Sequence, residues 1–290
     1  MHQILKTGAV LAIAASALFI SPPVVEAQIP TAVQTPAQND KPFLHPLFTS
    51  NMVLQRGIAA PVWGWAAPGQ KVRVTLSGAS ARVTSTTATA GADGKWMAKV
   101  GPYKAGGPYT LTVTGPQSVT LTNVMFGDVW LCSGQSNMRM GMTVIGAPAE
   151  IAAANYPNIR LFSVAKNLSL TPRDVVSGQW DVCTPQTIVG GGKDSWGGFS
   201  AAAYFFGRNL HQQLNVPIGL IHSSWGGTNA EAWATNQSLK TIPDFASVVS
   251  QLEAQAGEPN GEDFDLLMTN WWQKNDPGTV SNWQHNMTVT

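Results

Sequence analysis

The chain has 290 residues, of which 44% are hydrophobic and 11% charged, and its formal net charge is +1. That composition is globular rather than disordered, and the length allows two cores. No cluster of Lys and Arg and no basic stripe interleaved with aromatics is present to neutralise phosphates, so the sequence argues against nucleic-acid binding and for a neutral ligand. The 11 tryptophans offer weak support for sugar stacking, since a tryptophan in a mixed sheet protein is more often a packing residue.

Residues 1–27 read as a secretory signal, with Lys6 in a short basic region, the apolar run Ala9–Ile20, and Val25-Glu-Ala27 as a small-residue site with cleavage expected after Ala27. The apolar run falls short of the ~17 to 25 residues of a spanning helix, so the mature protein is expected to be exported to the periplasm or beyond the cell, with no membrane association once the signal is removed. In such a compartment Cys132 and Cys183 either pair or remain as two buried thiols. Residues 28–42, rich in Pro, Gln, Thr and Ala, read as a linker.

From residue 43 to 122 short alternating runs follow one another without a helical period: Met52–Leu54, Val62–Trp65, Val72–Leu76, Ala81–Ala90, Trp96–Val100, Tyr109–Thr114 and Val119–Leu121. Ala67-Pro-Gly69, Ala92-Asp-Gly94 and Gly106-Gly-Pro108 supply the turns. This pattern predicts a separable antiparallel β-sandwich domain.

The pattern from 123 to 256 is mixed α/β. Phe126 and Val129–Cys132 predict a fully covered parallel strand that runs into Ser133-Gly134, a turn of small residues. Ala147–Asn155 is a short helix candidate, and Ile159–Val164 and Trp180–Cys183 are strand candidates. The polar connections 166–179 and 184–198 are long enough to border a site. Phe199–Leu214 is the clearest helix, with Phe199, Ala202, Ala203, Phe206 and Leu210 at helical spacing, and the strand Ile218–His222 completes a right-handed crossover. A further amphipathic helix is expected over 243–255, with Phe245, Val248, Val249 and Leu252 on one face.

Two stretches carry the chemistry. Ser136 follows a strand end at the edge where open α/β sheets bind ligands, and a helix beginning there would aim amides at an oxyanion formed when its hydroxyl attacks an ester. In Ser223-Ser-Trp-Gly-Gly-Thr228 a second strand ends in Gly226-Gly227, which permits close approach of the backbone to a ligand. His222 reads as a packing residue at a strand end. The sequence contains no cluster with metal-ligand spacing and no phosphate-binding glycine loop, so no cofactor is expected.

Gly127-Asp-Val-Trp-Leu-Cys-Ser-Gly-Gln-Ser-Asn-Met138 resembles the first sequence block of SGNH-type carbohydrate esterases, the sialate O-acetylesterase family in particular. Ser-Ser-Trp-Gly-Gly-Thr followed by Glu231-Ala-Trp233 resembles the second block. It is not the α/β-hydrolase elbow, because Met138 stands where the second glycine of G-x-S-x-G belongs. The resemblance implies an SGNH-hydrolase-like three-layer α/β/α domain, incomplete over 123–256, with residues 257–290 opening an inserted domain that is truncated. It also implies Ser136 as nucleophile, with the backbone amides of Ser136 and Gly227 holding the oxyanion and Gly226 as the near alternative.

Gln135, Asn137, Trp225 and Thr228 are expected to line the substrate. The implied reaction is hydrolysis of O-acetyl esters on carbohydrates, sialic acids or acetylated plant glycans, through an acetyl-enzyme. Two family signatures, a W-Y-Q-G-E block and a terminal Asp-x-x-His, do not occur in these 290 residues. The alternatives are a non-catalytic carbohydrate-binding or adaptor protein, an inactive fragment, and an activity of the acetylxylan esterase kind.

Overall fold

The computed structural model describes residues 41–257 except 79–80, 168 and 191–194. The expected signal segment with its expected cleavage after Ala27, residues 28–40 of the expected linker, and 258–290 of the expected insertion lie outside the described residues.

The first strands follow the alternating pattern closely. β1 spans Val53–Gln55, β2 Ala60–Trp65, β3 Lys71–Gly78, β4 Ala81–Thr89, β5 Lys95–Val100 and β6 Gly106–Thr114. On β5 every second residue is buried, which places Trp96, Ala98 and Val100 inward; Val72, Val74 and Leu76 do the same on β3, as do Leu111 and Val113 on β6. β2 and β5 form an antiparallel pair of their own, and their inward residues share one core with those of β3 and β6. Within it the Trp96 indole donates to the Phe43 carbonyl at 2.9 Å, which satisfies the single polar atom of that buried ring.

The next strand differs from expectation. Val119–Leu121 and Phe126–Cys132 belong to one 17-residue strand, β7, Ser118–Gly134. Its first half pairs antiparallel with β6, as in Leu111 with Leu121. Its second half pairs parallel with β10, Ile218–Ser224, from Ile218 opposite Asp128 to Ser224 opposite Gly134. The expected boundary at 122/123 therefore falls inside a continuous strand. Where the pairing changes hands, β1 runs parallel to residues 125–127, and a Cβ at Gly127 would land on the Pro217 carbonyl. β8, Tyr156–Ser163, pairs parallel with β10, and β9, Trp180–Cys183, pairs antiparallel with β8. Among the described residues the result is a mixed α/β protein with one eight-stranded sheet in the order β4-β3-β6-β7-β10-β8-β9, with β1 on β7.

A buried arginine fastens the junction. Arg160 on β8 donates to the carbonyls of Pro157, Asn51 and Asn123 and to the Asn123 side chain, over 2.9 to 3.2 Å. Asn51 and Asn123 both have positive φ, a conformation that asparagine tolerates better than most residues, and Asn123 Nδ2 also donates to Asn51 Oδ1. Burial lowers the Arg160 pKa to about 10, so the guanidinium stays charged at neutral pH and its donors are answered by backbone oxygens.

The helices are α1 Ser136–Arg139, α2 Pro148–Ala152, α3 Pro185–Val189, α4 Ala201–Leu214, α5 Asn236–Leu239 and α6 Pro243–Ala256. α3 lies in a segment expected to be loop. Thr184-Pro-Gln-Thr187 starts it, with Thr184 and Thr187 capping each other's backbone. Ser200 caps α4, and Asn215 ends it in the left-handed region before Val216-Pro217. The buried stripe of α4 is Ala201, Ala203, Tyr204 and Gly207, which corrects the expected face: Ala202 is exposed and Phe206 is 43% exposed. Small residues set that stripe because the helix lies close to β10, where a Cβ at Gly207 would sit 2.7 Å from Leu220. On α6 only Val249 of the expected face is buried, while Val248 and Leu252 are exposed.

A second correction concerns β7. Trp130 and Leu131 are exposed, Leu131 at 69%, so its second half is not fully covered. Trp130 packs edge-on against Phe206 at 5.0 Å, and the Gln55 side chain accepts from Val129 N at 2.9 Å.

Candidate active site

Parallel pairing brings the two informative stretches side by side. β7 ends at Gly134, with φ 141, and β10 ends opposite it at Ser224; Trp225 N then donates to the Gly134 carbonyl at 3.0 Å. Gln135 caps the single turn of α1, which begins at Ser136. A turn of four residues offers its own amides and is too short to build up the dipole of a longer helix.

Ser136 is half-buried between exposed Gln135 and Asn137. Its Oγ donates to Gln135 Oε1 at 3.0 Å, and its amide donates to the same oxygen at 3.1 Å. The two glycines are placed differently. A Cβ on Gly226 would lie 3.5 Å from Ser136 Cα and 3.6 Å from Ser136 Cβ, whereas Gly227 has φ 82 and faces open space. Gly226 is thus the glycine beside the serine, and Gly227 supplies the turn that no side-chain-bearing residue adopts readily.

The other expected lining residues separate into two groups. Trp225 and Thr228, together with Ser223, Ser224 and Trp233, border a cavity of about 660 Å³ that Val164, Lys166, Arg173 and Ser177 also line. Thr228 Oγ1 donates to the Trp225 carbonyl and accepts from the Trp233 indole, both at 2.8 Å, which fixes the loop after the glycines. Lys166 lies 5.1 Å over the Trp225 ring. Gln135 and Asn137 sit on the Ser136 side.

His222 is occupied elsewhere. Its Nε2 is 2.6 Å from Ser224 Oγ, its ring meets Phe199 edge-on at 5.4 Å, and burial lowers its pKa to about 4. Ser224 was not singled out by sequence reasoning. The available signal was its position two residues after His222 on a strand, which puts both side chains on one face. His45 is buried in the first core with Nε2 on the Asp174 carbonyl, and His211 Nδ1 lies 2.7 Å from the Val216 carbonyl. Cys132 and Cys183 are free and buried, with thiols raised by burial to about 11 and about 12, so neither is a poised nucleophile.

Residues 126–269, which include both stretches, match the carbohydrate esterase family of sialic acid-specific acetylesterases. The chain belongs to this family. It is 38% identical over 215 residues to human sialate O-acetylesterase, covering 69% of this chain and 40% of that protein, and 35% identical over 218 residues to the mouse protein, covering 72% and 39%. Among solved structures it is similar to a carbohydrate acetylesterase from Xanthomonas citri, with a TM-score of 0.61 at 36% identity, over 69% of this chain and 44% of that one. The chain therefore spans about two fifths of the length of the curated relatives it matches. The family membership accords with the two blocks and with the mixed α/β architecture.

Proposed function

We propose that this chain carries the nucleophile and oxyanion site of an exported serine esterase that removes O-acetyl groups from carbohydrates. The observation that carries the reading is the placement of Gly226 against Ser136 at the ends of two neighbouring parallel strands. Ser136 Oγ attacks the acetyl carbonyl, and the resulting oxyanion is held by the amide of Ser136 and that of Gly226 or Gly227. The sugar alcohol leaves with the proton, and water then releases acetate from acetyl-Ser136. For this the Gln135 side chain swings off the Ser136 amide that it now occupies. The human and mouse relatives, named sialate O-acetylesterases, support an O-acetylated sugar as substrate.

The same reading includes an SGNH-like three-layer domain and a β-sandwich joined through the continuous strand β7, and cleavage after Ala27 for export. What supports the β-sandwich is the shared core of β2 and β5 with β3 and β6.

Among the described residues Ser136 Oγ is hydrogen-bonded to Gln135 and to no base. A serine at its ordinary pKa is a weak nucleophile, so with the partners found among the described residues Ser136 is expected to form the acetyl-enzyme only slowly. That same observation favours a second reading, a sugar-binding module that retains an esterase frame, with Trp225 and Trp233 at its cavity. Release of acetate from an O-acetylated sugar separates the two. Slow release that disappears in Ser136→Ala supports the esterase, and sugar binding with no release above the uncatalysed rate supports the module.

A further inference from the structure

We infer that Trp196 is a substrate-binding residue: its indole is the platform for the sugar ring that carries the acetyl group attacked by Ser136. The inference rests on the reading of Ser136 as nucleophile and adds a residue of the connection 184–198, which the sequence expects to border a site. Gly226 approaches Ser136 from the end of β10, and Trp196 approaches the same turn from the segment that leads into α4.

The backbone fixes where Trp196 stands. Met140, one turn on from the nucleophile, donates its N–H to the Ser136 carbonyl at 3.0 Å and pairs with Trp196 in a parallel bridge. Gly141 N donates to the Trp196 carbonyl at 2.9 Å, and Thr143 N to the Gly197 carbonyl at 3.0 Å. A Cβ on Gly141 would lie 2.2 Å from the Gly197 carbonyl oxygen, so only glycine lets the two segments meet this closely. With ~6 Å along the turn and ~5 Å across the bridge, the Trp196 backbone stands at most ~11 Å from that of Ser136. A single acetylated pyranose spans that gap.

The indole is unused by the fold. Among the described residues every other tryptophan is engaged: Trp96, Trp180 and Trp233 donate their N–H to an oxygen, Trp63 and Trp130 pack edge-on against phenylalanines, and Trp65 and Trp225 lie under lysines. The Trp196 ring is 42% exposed and among the described residues has neither a ring partner nor an acceptor for Nε1. Exposed Val144 and Val189 flank its segment, since a Cβ on Gly197 would lie 2.4 Å from Val144 Cγ2 and one on Gly198 2.8 Å from Val189 Cα. A rigidly held flat ring with a free N–H, set among apolar side chains, matches a pyranose, which has an apolar C–H face and hydroxyls around its rim. Stacking on the sugar makes the site select sugar esters over plain alkyl esters.

The test follows acetate release from an O-acetylated sialic acid, an O-acetylated methyl xyloside and ethyl acetate, which has no ring to stack. In Trp196→Ala the ratio of kcat/KM for the better sugar to that for ethyl acetate should fall by about 10- to 30-fold, chiefly through KM. Trp196→Tyr keeps a flat ring and should stay within about threefold of the parent. The side chain is exposed, so both variants should fold. An unchanged ratio in Trp196→Ala overturns the inference.

Binding supplies a readout independent of turnover. In ¹H–¹⁵N spectra of Ser136→Ala, where the ester persists, the Trp196 indole signal is identified by its absence after Trp196→Phe. One of the two acetylated sugars should shift that signal saturably. No shift from either at tens of millimolar contradicts the platform, as does a shift that follows protein concentration instead of sugar, which would assign the ring to contact between copies of the chain. Equal acetate release by the parent and Ser136→Ala would remove the esterase reading and leave the Trp196 signal to decide the platform.

Discussion

In the first half of β7, Leu121, Val124 and Phe126 are sealed in the core they share with β2, β3, β5 and β6, and Phe126 lies between Tyr103 and Tyr109 at ring distances of 4.8 and 5.6 Å. In the second half, Trp130 and Leu131 reach the surface although they belong to the same strand. The first half has an antiparallel partner and a facing layer, and its side chains are fixed. Among the described residues the second half has β10 along one edge, while away from β10 it meets side chains rather than a strand, Gln55 on Val129 N and Arg56 on the Asp128 carboxylate. The rigid half anchors the strand and the less covered half delivers Gly134 and Ser136. The proposed site is thus placed at the end of a strand whose other end is locked.

That contrast can be broken at either end. The largest effect is expected for Phe126→Ala, which removes a fully buried aromatic ring and should cost ~3 to 5 kcal/mol in unfolding free energy by urea denaturation. Arg160→Leu comes next. It strands the carbonyls of Pro157, Asn51 and Asn123, and a loss of about 3 kcal/mol is expected, seen as a fall in Tm of roughly 6 to 12 °C. An unchanged Tm would show that water replaces the guanidinium and that the junction is less tightly fastened than the bonds imply.

Acidification should loosen the site end. The folded pKa of His222 is lowered from its ordinary 6.5 to about 4, so between those values the unfolded chain binds a proton that the folded chain refuses. The stabilisation is complete above about pH 6.5 and is lost as pH falls toward 4, by ~2 to 3 kcal/mol, with buried His45 adding in the same direction. His222→Gln should flatten that part of the stability profile; a profile that keeps its slope would assign the titration elsewhere. The smallest effect is expected for Leu131→Ala, within about 0.5 kcal/mol because the side chain is already exposed.

These differences also explain what could be read from the sequence. β5 and β3 were legible because one face is buried and the other wet, so Trp96, Ala98 and Val100 alternate with Lys95, Met97 and Lys99. β7 departs from its sequence pattern twice for one reason. Its partners change midway, and an apolar run such as Val129–Cys132 reports a tendency to be buried without saying what covers it. On α4 the strongest apolar residue, Phe206, drew the face to the wrong side, because close approach to β10 selects Ala203 and Gly207 instead. At the site, the strand, the turn and Ser136 were visible in Gly127–Met138, and Gly226-Gly227 in the second stretch. Which glycine lies beside the serine was not, since one residue of offset at a strand end depends on the parallel register of β7 and β10.

The most direct test of the central claim is the release of acetate from an O-acetylated sugar, followed in parallel for the chain and for Ser136→Ala, with urea unfolding of both. Ser136 makes its side-chain bond to exposed Gln135, so the substitution should leave the unfolding midpoint unchanged and reduce acetate release to the uncatalysed rate. Equal release by the two proteins, with the fold intact in both, would contradict the assignment of Ser136 as the nucleophile.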